Sequence, residues 1–291
     1  MSDTGFTTES IPAGDGRTLP FRKLGTGPGM VILHGAMESA GSHMRLARAL
    51  SDAFTVYLPE RRGHTLGVPF DQAYGMSQEV ADLASLVTAT GARNVFGVSA
   101  GGLVALYGAL GITALRRAAA YEPALVVDGS LRAGLLERCD REIERGDLAA
   151  ALVTGMRAAR LGPPVMALMP RRMLESFTAK AMEKEDAAAK DGEMTFRKLA
   201  PSLHYDFRLL SEACGEPRRL RDIAKEVLLL GGDRSPRYLQ SALDHLERTI
   251  PGARRVVLPG LDHGGSSDPS PANPRGGSPE LVAQALRGFF L

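Results

Sequence analysis

Along the chain, short apolar runs alternate with longer stretches whose apolar residues recur every three or four positions. This alternation predicts a parallel sheet flanked by helices. Strands are expected at Met30–Leu33, Phe54–Leu58, Asn94–Val98, Arg117–Tyr121, Glu226–Leu230 and Arg254–Leu258. Helices are expected near Ser42–Leu50, Ser77–Thr90, Ala100–Gly111, Pro236–Ile250 and Pro279–Phe290. In the fourth of these, Leu239, Leu243, Leu246 and Ile250 fall on one face, which should pack on the sheet. The run GGSSDPSPANPRGGSP, Gly264–Pro279, reads as a surface loop from its Gly, Pro and Ser content.

The alternation fails from about Ala124 to Ser211, where no strand pattern occurs and four helix-like segments follow one another. A helical insert between two strands of a parallel sheet reads as a lid over the strands' carboxyl ends, where open sheets bind ligands. Met166, Met169, Met173 and Met182 lie in it. Methionine is flexible and polarizable, so the first three are candidate substrate contacts for an irregular apolar ligand, against the plainer reading of helix packing. His204, also in the insert, could line the same pocket.

Composition narrows the classes. At 291 residues, 44% hydrophobic and 23% charged, the chain reads as a soluble protein, either one large domain or a core with an insert. A formal net charge of +2 argues against a nucleic-acid partner. No stretch reaches the roughly 20 apolar residues of a membrane span. The opening MSDTGFTTES has no basic segment followed by an apolar run, so a cytoplasmic protein is expected. Cys139 and Cys214 have no metal-ligand spacing, so neither a disulfide framework nor a metal site is indicated.

Candidate chemistry lies at the strand ends. Gly97-Val98-Ser99-Ala100-Gly101 fits G-x-S-x-G, in which small residues let a strand turn sharply into a helix and hold the serine hydroxyl outward. An apolar run precedes it and GLVALYGAL follows, so strand, turn and helix are all expected there; the plainer alternative is a helix N-cap. A serine nucleophile needs a base. His263, in LPGLDHGG just past the last predicted strand, has a side chain whose near-neutral pKa suits proton transfer. Upstream, VILHGA ends a strand in a His-Gly turn; there His34 should shape the loop rather than act as base. The backbone N–H groups of Ala36 and Ala100 are candidates to hold the oxyanion of an acyl-transfer intermediate. His43 and His245 fall in flanking helices and His64 in the turn RRGHTLG, where satisfied or solvated side chains are expected.

VILHGA, RRGHTLG, GVSAGG and LPGLDHGG occur in the order found in the α/β-hydrolase superfamily, which the chain resembles from about Thr18 to its C-terminus. The resemblance implies an α/β fold with a doubly wound, mostly parallel eight-stranded sheet and a helical cap after the sixth strand. The core would span 1–124 and 211–291 and the cap 125–210. It further implies a Ser-His-acid triad, here with a serine rather than the aspartate nucleophile of haloalkane dehalogenases and epoxide hydrolases of this fold.

In the common form of the superfamily the acid follows the seventh strand, in a pattern like G-x-x-D-P. Here GGDRSP puts Ser235 at that place; Ser235 reads as an N-cap before Pro236, and Asp233 lies two residues early. Some members carry the acid after the sixth strand instead, where AAAYEP places Glu122. A carboxylate ending so apolar a strand is costly to bury without a partner, and a His263 imidazolium would be one. Glu122 is therefore the first choice and Asp233 the alternative.

The expected activity is hydrolysis of an ester, lactone or thioester of a largely apolar small molecule, with no cofactor. Two other readings stay open on the versatility of the fold: a cofactor-free lyase or oxygenase with histidine as base, and a non-catalytic ligand-binding member.

Overall fold

The computed structural model describes residues 5–64, 71, 73–127, 134–158, 168–190, 193–215, 217–270 and 275–291. Met166, residues 65–67 of the RRGHTLG turn and residues 271–274 of the predicted loop lie outside them.

Eight strands form one sheet in the order β1-β2-β4-β3-β5-β6-β7-β8. They are β1 (Thr7–Pro12), β2 (Thr18–Leu24), β3 (Gly29–Leu33), β4 (Thr55–Pro59), β5 (Asn94–Val98), β6 (Arg117–Tyr121), β7 (Glu226–Gly232) and β8 (Arg254–Leu258). Strands β3 to β8 pair in parallel, whereas β1 and β2 pair antiparallel with each other and β2 with β4. The six expected strands are present within two residues of their predicted ends. The β1–β2 hairpin had no counterpart among them.

Both faces of the sheet are covered, and the alternation of side chains along each strand decides which core they join. Val31, Leu33, Val95, Ala118, Ala120, Val227 and Leu229 pack on one side with helices α2 (Met76–Thr90) and α3 (Ala100–Gly111). Met30, Ile32, Phe96, Val98, Ala119, Tyr121, Leu228 and Leu230 pack on the other with α1 (Met44–Leu50). Helix α3 comes close to the chain just past β6: a Cβ on Gly102 would lie 3.3 Å from Pro123 Cα.

Between β6 and β7 the described residues hold α4 (Gly134–Glu144), α5 (Leu148–Ala158), α6 (Arg171–Ala188), a single turn α7 (Phe196–Leu199) and α8 (Leu203–Gly215). This insert has a small core of its own, with Cys139, Ala151, Leu152, Met182, Leu203 and Phe207. Its last helix belongs to both bodies. Leu203 and Phe207 face the insert, whereas Tyr205, Leu209 and Ala213 join the main core beside α3. After β7, α9 (Arg237–Thr249) buries Leu239, Ala242, Leu243 and Leu246, and α10 (Pro279–Phe290) closes the chain against α1. The N-cap of α9 is Pro236 rather than Ser235. Ser235 instead sits buried in the preceding turn, its N–H bonded to Gly232 O and its hydroxyl without a partner among the described residues.

Candidate active site

The turn from β5 into α3 is a single residue, Ser99, held at φ 52°, ψ −115°. Only glycine fits two residues to either side of it. A Cβ on Gly97 would lie 2.1 Å from Gly101 O, and one on Gly101 would lie 2.4 Å from His34 O. The G-x-S-x-G spacing thus follows from strand and helix backbones in van der Waals contact. Ser99 N–H donates to Tyr121 O at 3.0 Å, and Ser99 O accepts from Ala124 N at 3.2 Å, which ties the turn to the end of β6. Among the described residues the Ser99 hydroxyl forms no hydrogen bond, and Ser99 makes no N-cap bond to its own helix.

Glu122 ends β6 with φ 43° and is 1% exposed. Its Oε1 accepts from Gly232 N–H at 2.7 Å and its Oε2 lies 2.8 Å from His263 Nδ1. His263 stands in the loop after β8, its side chain 22% exposed. Tyr121 anchors the same loop, its hydroxyl donating to Asp262 O at 2.6 Å. Asp233 is exposed and turned away: its Oδ1 accepts from Gly260 N–H at 2.7 Å and caps the turn that follows β8.

Ala36 follows the His-Gly turn at the end of β3. Gly35 lies beside the serine, with the place of its missing Cβ 3.3 Å from Ser99 Cβ. The Ala100 N–H is the first of α3, a position with no intrahelical acceptor. His34 is a loop-shaping residue: Nδ1 donates to Gly35 O at 3.0 Å and Nε2 accepts from Arg61 N–H at 3.1 Å. Burial, with His64 and Arg61 alongside, holds its pKa well below the ordinary histidine value. Met37, Ser99 and Glu122 are the non-glycine residues at positive φ among the described residues. Such strain costs about 1–3 kcal/mol per residue and persists where surrounding structure enforces it, commonly at functional sites.

The insert candidates are placed differently. Met173 is 45% exposed on α6, and Met169 is half-buried with its carbonyl accepting from Arg157 Nη2 at 2.9 Å. His204 pairs through Nδ1 with the Asp140 carboxylate and stacks edge-on against Tyr205.

Two residues absent from the sequence reading as site components stand beside the His-Gly loop. Glu38, 19% exposed at its side chain, accepts from Gly35 N–H (2.7 Å), Ser267 Oγ (2.6 Å) and His43 Nε2 (3.0 Å). His43 is fully buried, with Nδ1 3.1 Å from Ser266 O. Both imidazole nitrogens face acceptors, an arrangement that favours the imidazolium. Burial alone would lower its pKa, but the Glu38 carboxylate raises it; in return the carboxyl of Glu38, which burial would push up, is brought down to about 2 by His43. No local pattern carries this pair, whose partners Ser266 and Ser267 lie more than two hundred positions along the chain.

A model of the alpha/beta hydrolase family matches residues 30–275. A curated relative, 2-(acetamidomethylene)succinate hydrolase of Mesorhizobium japonicum, is 25% identical over 282 residues, 94% of this chain and 91% of its own. An alpha/beta hydrolase from Sphaerobacter thermophilus superposes with a TM-score of 0.76 at 25% identity, covering 97% of this chain and 100% of that one. A thermophilic esterase from Thermogutta terrifontis does so with a TM-score of 0.67 at 20% identity, covering 98% of each.

Proposed function

Because this chain belongs to the alpha/beta hydrolase family, we propose that it is a serine hydrolase in which Ser99, His263 and Glu122 form the triad. The observation that carries this reading is the 2.8 Å contact between Glu122 Oε2 and His263 Nδ1, made by a carboxylate buried at the carboxyl edge of the sheet. The hydrolase names of the curated relative and of structural neighbours support it at the level of reaction class.

Ser99 Oγ attacks the carbonyl carbon as its proton passes to His263 Nε2, and the imidazolium so formed is held by Glu122 through Nδ1–H. Glu122 also fixes the tautomer, since a carboxylate offers Nδ1 only an acceptor. The N–H groups of Ala36 and Ala100 stabilise the oxyanion, a contribution of about 3–4 kcal/mol when one such donor is removed from a site of this kind. His263 returns the proton to the leaving group, and water repeats the sequence on the acyl-enzyme. The insert between β6 and β7 serves as cap, and its apolar core favours a small-molecule acyl substrate: an ester, a lactone or a thioester. The curated relative is named for a compound carrying an acetamido group, so an acetamido substrate belongs in the same screen.

Incubation of the folded protein with a fluorophosphonate probe, followed by peptide mapping, should place the label on Ser99. Turnover of p-nitrophenyl acetate should disappear in Ser99→Ala and in His263→Ala. A Ser99→Ala protein that keeps its turnover would instead favour histidine-based lyase or oxygenase chemistry with Ser99 as a binding group.

A further inference from the structure

The loop that carries Ala36 and the loop that carries His263 meet at Glu38. One oxygen of this carboxylate accepts from Gly35 N–H and from His43; the other accepts from Ser267 Oγ, four residues past His263. Around that point the His263 loop is also joined to the start of α1 and the turn before it, by His43 Nδ1 to Ser266 O (3.1 Å), Asp268 N–H to Ser42 O (2.8 Å) and Arg45 N–H to the Asp268 carboxylate (3.1 Å). On the other side of the Ala36 loop, His64 Nδ1 donates to Glu38 O at 2.8 Å and Met37 packs against the core of the helical insert.

We propose that Glu38 is a positioning residue for acyl transfer: as a carboxylate locked by the His43 imidazolium, it sets the oxyanion loop and the His263 loop in register with each other. The assignment rests on the serine-hydrolase reading above. Its physical basis is that the Gly35 N–H held by Glu38 belongs to the peptide immediately before the Gly35–Ala36 peptide, so the aim of the Ala36 N–H follows from it. The Ser267 contact applies the same constraint to the loop of the base. Serine, base and oxyanion donor come from three strand ends, and a misplacement of 1 Å between such groups can cost about a hundredfold in rate. Glu38 touches none of the reacting atoms, so its removal is felt in the transition state more than in substrate binding.

The test compares the parent protein with Glu38→Ala and Ser267→Ala by p-nitrophenyl acetate kinetics and by hydrogen exchange of peptides spanning residues 34–38 and 262–270. Glu38→Ala should lower kcat by about a hundredfold with KM unchanged, and exchange should rise in both peptides together. Ser267→Ala should raise exchange in 262–270 and lower kcat by less. Should Glu38→Ala fail to fold, Glu38→Gln takes its place: it keeps an acceptor for Gly35 N–H but loses the charge that holds His43, and a kcat below that of the parent by less than the hundredfold set for Glu38→Ala is expected, with KM again unchanged. An undiminished kcat, an effect confined to KM, or exchange that rises in the 34–38 peptide alone would overturn the assignment. Fluorophosphonate labelling of the parent separates the two levels. A parent not labelled at Ser99 overturns the hydrolase reading and the role of Glu38 with it, whereas a labelled parent with an unaffected Glu38 variant overturns the Glu38 assignment alone.

Discussion

At Glu122 one carboxylate receives two donors, the Gly232 N–H on Oε1 and the His263 ring on Oε2. A glutamine there has one acceptor oxygen and one NH2 group. Either the amide opposes the Gly232 N–H, or it forces His263 into the tautomer protonated on Nε2, which cannot take the serine proton. Glu122→Gln should therefore lower kcat for p-nitrophenyl acetate by about ten-thousandfold, with a folded circular-dichroism spectrum. Asp233→Asn should leave kcat unchanged, because the asparagine oxygen can still accept from Gly260 N–H. If Asp233→Asn carries the loss and Glu122→Gln does not, the acid follows the seventh strand after all. Ser99, Glu122 and His263 could be singled out in the sequence because each follows a strand, the first two directly and the third after a short loop, close to glycine or proline, so local punctuation marks it. Ser235 was misleading for the same reason: Ser-Pro before a helix looks like a cap, but the turn folds back and leaves its hydroxyl buried without a partner among the described residues. Glu38 and His43 left no such mark. Their meaning depends on residues 266–267, brought to them only when β8 and its loop return to the sheet.

The central elements were legible because buried parallel strands are continuous apolar runs, whereas the β1–β2 hairpin was not. All of β1 but Ile11 is exposed, and β2 contains Pro20, a residue that argues against a strand from sequence alone. The insert was legible as helical, but not the way its last helix is built into the core. Asp206 on α8 meets Arg61 Nη1 at 3.1 Å and lies 3.3 Å from His64 Nε2, and Arg61, fully buried, also contacts Glu79 and His34 O. This links α8 to the turn after β4 and thence to the His-Gly loop. Asp206→Ala removes one of the two carboxylates that balance the buried Arg61 guanidinium, and the one beside His64, a broken buried ion pair for which the expected loss is about 3–5 kcal/mol of unfolding free energy. Phe177→Ala, at a side chain 53% exposed on α6, should change it by no more than about 0.5 kcal/mol. Urea titrations of the two variants compare them directly. A mild Asp206→Ala would mean that α8 is attached by its apolar face alone, through Tyr205 and Leu209.

Across the whole molecule the buried charges around the His-Gly loop make stability depend on pH with opposing signs. The folded-state pKa of His43 lies above its ordinary value of 6.5, so the native protein holds that proton more tightly than the unfolded chain. Its contribution is complete below pH 6.5 and is lost as pH rises through the raised value. Glu38 runs the other way. With its carboxyl brought from 4.5 to about 2, its contribution is present above pH 4.5 and is lost as pH falls toward 2. Asp206 behaves like Glu38, since His64 and Arg61 overcome the upward push of burial. His34, kept neutral by burial, adds an acid limb below pH 6.5, where the unfolded chain takes up a proton that the native protein refuses. Between pH 6.5 and the ordinary cysteine value of 9.0, His43 is thus the buried histidine of this cluster whose proton loss weakens the fold. The urea midpoint of the parent should fall with rising pH across that window. In His43→Gln the midpoint should be lower at pH 6.5 and flat above it, while the acid limb from His34 remains. A parent midpoint that does not fall, or an equal fall in both proteins, would show that His43 is a neutral imidazole in the native state, leaving the Glu38 carboxylate to hold the two loops without an ion pair to it.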